Sequence, residues 1–170
     1  MKVPWAAQAP KAAPLNGPLA LAGVLAALVG PGVARAELPA CDAASRTRLN
    51  LVITGVRSGD GLMAVTIYPD DPRRFLAHHG QIGVLRTPAR APVTRVCAAL
   101  PDPGIYAAVI YHDANGDLKF NRTAVGMPAE AYGFSNDPST FLGLPSFSSV
   151  RFKVQPGDNA LTIRLHYPGG

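Results

Sequence analysis

Hydrophobic positions along the chain recur mostly at every second residue, in short runs parted by turn-forming residues, as in strands half-buried in a sheet. The segment "RLNLVITG" sets Leu49, Leu51 and Ile53 against Asn50 and Thr54, and "LMAVTIY" sets Met63, Val65 and Ile67 on one face. Between them "SGDG" (58–61) has the backbone freedom for a tight reversal, so the two segments are expected to form a β-hairpin. "DDPRRFLAHHG" interrupts the alternation and is expected to hold one helical turn with Phe75 and Leu76 tucked down. Strand patterns resume in "VTRVCAAL" (93–100). "PDPG" then turns the chain into "IYAAVIYH" (105–112), which is apolar on both faces and reads as a central strand. In "VRFKV" and "ALTIRLHY", Val150, Phe152, Val154, Leu161, Ile163 and Leu165 are expected inward, with Arg151, Lys153 and Arg164 outward.

No helical periodicity lasts beyond about ten residues after the N-terminal region, and about seven short strands predict an all-β fold, an antiparallel β-sandwich. One stretch departs from that pattern. Residues 113–149 carry no strand signal, far more than the usual connection length, and such segments are functional or disordered. This one contains "AYGFSND" and "TFLGLPSF", aromatic enough to pack, so any site is expected there.

The first 36 residues read as a secretory signal peptide. Lys2 and Lys11 precede an apolar core from Leu19 to Val29, and Ala34 and Ala36 fit an A-x-A cleavage site; the core is too short for a membrane span. The expected organisation is a signal over 1–36, an extension over 37–47 and one sandwich domain over 48–168, secreted or periplasmic. No transmembrane helix remains after cleavage, and the domain is expected to be a monomer. Three of the 16 cations (Lys2, Lys11 and Arg35) leave with the signal, so 13 face 11 carboxylates. So small an excess gives no electrostatic case for nucleic acid.

Two cysteines remain, and two readings compete for the first. Cys41 and Cys97 can form a disulfide in an oxidising compartment, closing a loop that contributes about 4 kcal/mol in the chain-entropy model. Alternatively "LPAC" (38–41) reads as a lipobox, which would lipidate Cys41, although Pro39, Arg35 and Glu37 are unusual there.

Candidate chemistry centres on "YHDANGDLKFN" (111–121). Asp113, Asn115 and Asp117, the Lys119 carbonyl and Asn121 fall at positions 1, 3, 5, 7 and 9 of an EF-hand-type loop, a spacing suited to calcium. Leu118 occupies the position that wants glycine and Ala124 the one that wants a bidentate carboxylate, so binding would be weak. The same residues suit a metal-free reversal, since Asp and Asn accept from backbone amides two residues on and "NG" supplies positive φ. His112 beside Asp113 invites a general-base role, but neighbours on a strand point to opposite faces. A set of Ser135, His112 and Asp137 lacks a nucleophile-elbow context. His78 and His79 alone do not make a zinc site. Tyr132 and Phe134 form either a stacking platform for a ligand or a plug for the open end of the sandwich, and His112 is a further candidate ligand contact.

The stretches "LNLVITGVRSGDGLMAVTIY", "LPDPGIYAAVIYHDANGDLKFN", "GMPAEAYGFSND" and "LTIRLHY", in this order, resemble the family of secreted bacterial proteins called domain of unknown function 2141. The resemblance runs from about Leu49 to Tyr167 and implies a small exported sandwich of the immunoglobulin-like or prealbumin-like sort. The family's usual loop is "D-E-N-G-N-G-K-L-D", and here Ala114, Asp117, Leu118 and Asn121 stand at its glutamate, second asparagine, second glycine and last aspartate. The resemblance implies no mechanism. "LPDPGIY" is also similar to carboxypeptidase-regulatory-like sandwiches, which are interaction modules. The expected function is a non-catalytic binding or accessory module for an unknown ligand or envelope protein. Weak calcium binding is an open reading, and a hydrolase using His112 with loop carboxylates or a lipid-anchored envelope protein are the alternatives.

Overall fold

The computed structural model describes residues 36–140 and 144–169; the expected signal segment lies almost wholly outside them. Among the described residues the chain forms eight strands: β1 (Thr47–Thr54), β2 (Leu62–Pro69), β3 (Gly83–Pro88), β4 (Val93–Ala99), β5 (Gly104–Asp113), β6 (Tyr132–Phe134), β7 (Phe152–Val154) and β8 (Gly157–Arg164). One short helix, α1 (Phe147–Val150), precedes β7. The strands make two facing sheets, so the fold is an all-β sandwich. The smaller sheet runs β4-β1-β8; the larger runs β3-β2-β5-β6, with β7 also paired to β5.

Strand alternation dictates the core. Leu49, Leu51 and Ile53 of β1 face Met63, Val65 and Ile67 of β2 across the sandwich, joined by Ile110 and Ile163, all essentially inaccessible. The expected hairpin of β1 with β2 does not form. β1 pairs with β4 and, in parallel, with β8, whereas β2 pairs with β3 and β5. A strand with one buried face serves a hairpin or two opposed sheets equally well. Here the link from Gly55 to Gly61 crosses between the sheets, with Val56 buried. The sequence pattern also passed over β3 and β6; with the six runs it singled out they make eight strands, where about seven were expected. Each of the two is short, and β6 lies within the stretch that lacked alternation.

The residues before β1 protect two sheet edges. The Leu38 amide donates to the Val84 carbonyl at 3.1 Å on β3. Further along, the Ala99 amide donates to the Pro39 carbonyl at 2.9 Å and the Cys41 amide to the Cys97 carbonyl at 3.0 Å on β4. β3 and β4 are the outer strands of their sheets. A strap covering them removes unpaired edges that would template association. Leu38 is buried in the core, and Cys41 is joined to Cys97 with Cα atoms 5.3 Å apart. The pairing expected from an oxidising compartment is therefore present.

The larger sheet is apolar on its other side as well. Tyr68, Ala107 and Phe134 point away from the smaller sheet and are covered by Phe75 and Leu76 of the 70–80 turn and by Phe147 and Val150 of α1. This second layer explains why β5 reads as apolar on both faces. At one corner β6 meets the end of β8, where the amides of Tyr132 and His166 donate to each other's carbonyls at 3.0 and 2.8 Å. Only glycine permits that approach, because a Cβ at Gly133 would lie 2.3 Å from the Arg164 carbonyl oxygen.

Candidate functional site

The end of β5 organises the long connection. Asp113 is fully buried, and its two carboxylate oxygens accept the amides of Asp117 at 3.1 Å and Leu118 at 2.9 Å. Asn115 Oδ1 accepts the Asp117 amide at 3.2 Å. Asp117 in turn accepts the Lys119 amide at 2.9 Å and Asn121 Nδ2 at 3.0 Å. Gly116 and Leu118 both hold positive φ, +69° and +64°, so the turn keeps its left-handed step with leucine where glycine would carry no steric strain. The side chain of Asn121, then the Lys119 amide, holds the Asp117 carboxyl below its ordinary range. Glu130 accepts the Asn121 amide at 3.0 Å. Burial, reinforced by the charges of Asp113 and Asp117, pushes its carboxyl upward.

The proposed calcium set is thus drawn together in one loop, with the acceptors of Asp113, Asn115 and Asp117 turned to N–H groups and Asn121 acting as a donor. Among the described residues no three His, Cys, Asp or Glu side chains gather as metal ligands.

The loop's other product is an aromatic wall. Phe120, carried back over the sheet, meets Tyr111 edge-on at 5.4 Å between ring centres and Tyr132 at 6.2 Å, and Tyr132 meets Phe134 at 5.8 Å. Register explains the grouping: Tyr111 is opposite Tyr132 and Val109 opposite Phe134, and paired positions share a face. The chain then makes a tight hairpin, with Thr123 and Ala129 amides donating to the Met127 and Asn121 carbonyls at 2.8 and 2.9 Å. Met127, within this hairpin, is mostly exposed. Between this hairpin and the covered part of the face lies a cleft of about 400 Å³. Thr66, Val109 and Tyr111 form its floor, Phe120, Tyr132 and Phe134 its walls, and Met127 and Leu144 flank its opening. Tyr132 also hydrogen-bonds Thr140 through their hydroxyls at 3.3 Å.

Tyr132 and Phe134 therefore sit on the outside of the larger sheet and do not plug the gap between sheets. His112 is separated from them. It points into the sandwich, almost fully buried, with Nε2 2.8 Å from the Asp60 carbonyl and Nδ1 3.2 Å from the Tyr167 hydroxyl. A carbonyl only accepts, so Nε2 carries the proton and Nδ1 accepts from Tyr167. Ser135 is buried, donating to the Val150 carbonyl and accepting the Ala108 amide at 3.0 Å, while Asp137 is joined to His166. Each member of the Ser135, His112 and Asp137 set is thus committed to a different partner.

The sequence reading did not nominate Thr66, Tyr111, Phe120, Arg122, Met127 or Leu144. The outward Val109 and Tyr111 of β5 were the available signal, since a second apolar face needs its own cover.

The family model described as "Uncharacterized protein conserved in bacteria (DUF2141)" matches residues 51–162, well over half of the chain, and the chain belongs to that family. The match spans the whole cleft, from Thr66 on β2 to Leu144. No curated protein and no solved structure matches the chain.

Proposed function

We propose that this chain is an exported, non-catalytic binding module whose site is the aromatic cleft on the outer face of the larger sheet. The carrying observation is that five aromatic side chains (Tyr68, Tyr111, Phe120, Tyr132 and Phe134) line a concavity of about 400 Å³ that the cover formed by the described residues leaves open. Concave, largely apolar sites with a few polar groups at this scale suit small molecules. The disulfide, and the absence of any described helix long and apolar enough to cross a membrane, are consistent with export.

In this reading the Asp113–Asn121 loop is a scaffold that carries Phe120 and the hairpin over the sheet. Millimolar calcium is then expected to leave the melting temperature unmoved. A saturable rise would restore the metal-binding role that its spacing suggests. His112 is a positioning residue of the core, so His112→Ala is expected to lower the melting temperature. Loss of an activity without loss of stability would favour the hydrolase alternative. Intact mass of the exported chain tests the lipid anchor: the disulfide form carries no acyl group on Cys41.

The direct test uses N-phenyl-1-naphthylamine, a neutral apolar fluorophore. The disulfide-bonded protein is expected to enhance its fluorescence saturably, and Thr66→Arg, which fills the floor from a half-exposed position, should abolish that without lowering the melting temperature. An enhancement that Thr66→Arg leaves intact would place the site elsewhere.

A further inference from the structure

One charged side chain lines the cleft among the described residues, and it is Arg122. Its position is defined by two contacts: Nη1 donates to the Gly126 carbonyl at 2.9 Å, and the guanidinium lies over the Phe120 ring, 5.3 Å from its centre. Those contacts use one of the five N–H donors of the fork. Three other arginines have carboxylate partners, Arg48 with Asp158, Arg73 with Asp71 and Arg151 with Asp70, while Arg74 is taken up by the carbonyls of Gly80 and Gln81 and Arg57 lies over Tyr167. Arg122 has none within ion-pair distance among the described residues. The acids of its own loop are already turned elsewhere, Asp117 to Lys119 and Asn121 and Glu130 to the Asn121 amide. The remaining polar atoms of the cleft side chains are neutral hydroxyls, on Thr66, Thr140 and the tyrosines. At the opening Met127 and Leu144 are apolar and mostly exposed, 62% and 67%. Arg86, beside the cleft, is engaged with the Tyr111 hydroxyl, so recognition of charge by the lining itself falls to the Arg122 guanidinium, held by a hydrogen bond and a ring, with donors to spare and no anion among the described residues to meet them.

We infer that the ligand of this cleft is an amphipathic carboxylate, an apolar body seated on the aromatic wall with its anionic end taken by Arg122. This rests on the cleft reading and adds the charge. A planar fork matches a carboxylate in two parallel hydrogen bonds. The apolar body displaces water from Tyr111, Phe120 and Tyr132, and a neutral analogue of the same body binds through that contact alone.

The test displaces bound N-phenyl-1-naphthylamine from the disulfide-bonded protein with decanoate and with decanol, which share a chain length and differ in charge. Decanoate is expected to act at about one-tenth of the decanol concentration, the weight of one charge-assisted contact. Arg122→Gln should bring the two to the same concentration while leaving decanol unchanged. In the unsubstituted protein the advantage of decanoate should shrink as salt is raised. Equal displacement by the two compounds, or an advantage that survives both Arg122→Gln and salt, would overturn the anionic ligand and leave the apolar cleft standing. Failure of the fluorophore and both displacers to bind would overturn the cleft itself.

Discussion

The two sheets have inward faces built alike and outward faces built differently. On the smaller sheet the outward positions of β1 and β8 are the register pairs Arg48 with Asp158, Asn50 with Ala160, Val52 with Thr162 and Thr54 with Arg164, mostly polar, half-buried on β1 and exposed on β8. On the larger sheet they include Val84 and Arg86 on β3, Ala64, Thr66 and Tyr68 on β2, Ala107, Val109 and Tyr111 on β5, and Tyr132 and Phe134 on β6, mostly apolar. A polar outward face ends the molecule at that sheet. An apolar one requires a further layer, and this chain spends the 70–80 turn, the long connection and α1 on supplying it. Among the described residues the layer stops short, and the part of the face it leaves open is the cleft.

The comparison breaks most visibly if the two outward faces respond alike to truncation. Phe134→Ala is expected to cost about 3–5 kcal/mol in urea unfolding, as for a buried core aromatic. Thr162→Ala, outward on the smaller sheet, should stay within about 0.5 kcal/mol. Next in size is Asp113→Ala, which strands the amides of Asp117 and Leu118 and is expected to cost about 2–3 kcal/mol. Smaller again, Leu118→Gly relieves a left-handed leucine and is expected to gain up to about 1 kcal/mol, part of which the flexibility of glycine in the unfolded chain takes back.

The smallest expected effects are in the pH dependence, and their signs oppose. The carboxyl of Asp117 is depressed, so its contribution is present above its ordinary value of 3.8 and is lost as pH falls through the depressed one. That of Glu130 is raised, so its contribution is fully present below its ordinary value of 4.5 and is lost as pH rises through the raised one. Glu130→Gln should therefore gain slightly at neutral pH and nothing below 4.5, since the amide oxygen can still accept from Asn121. Amide shifts of Lys119 and Asn121 followed by NMR should titrate on opposite sides of those ordinary values.

Period-two alternation made the sandwich legible, because Leu49, Leu51, Ile53, Met63, Val65 and Ile67 each had to face a core. It did not say which strands pair, since two opposed sheets and one hairpin impose the same alternation. The loop's turn chemistry was legible in the spacing of Asp113, Asn115 and Asp117, and calcium and backbone amides compete for the same oxygens. The cleft was half legible. Tyr132 and Phe134 declared themselves as an i, i+2 aromatic pair, but Tyr111 was absorbed into a strand reading and Phe120 into a loop reading. They meet only through the β5–β6 register. His112 looked chemical because of its neighbour, and strand alternation sends the two to opposite faces.

The most direct measurement is an NMR titration of the disulfide-bonded protein with N-phenyl-1-naphthylamine, followed at backbone amides. Saturable shifts are expected at Val109, Tyr111, Phe120, Met127 and Tyr132, with Asn50, Thr54, Thr162 and Arg164 on the opposite outer face unmoved. Shifts centred on the smaller sheet, or none at saturating fluorophore, would contradict the assignment of the cleft as the binding site.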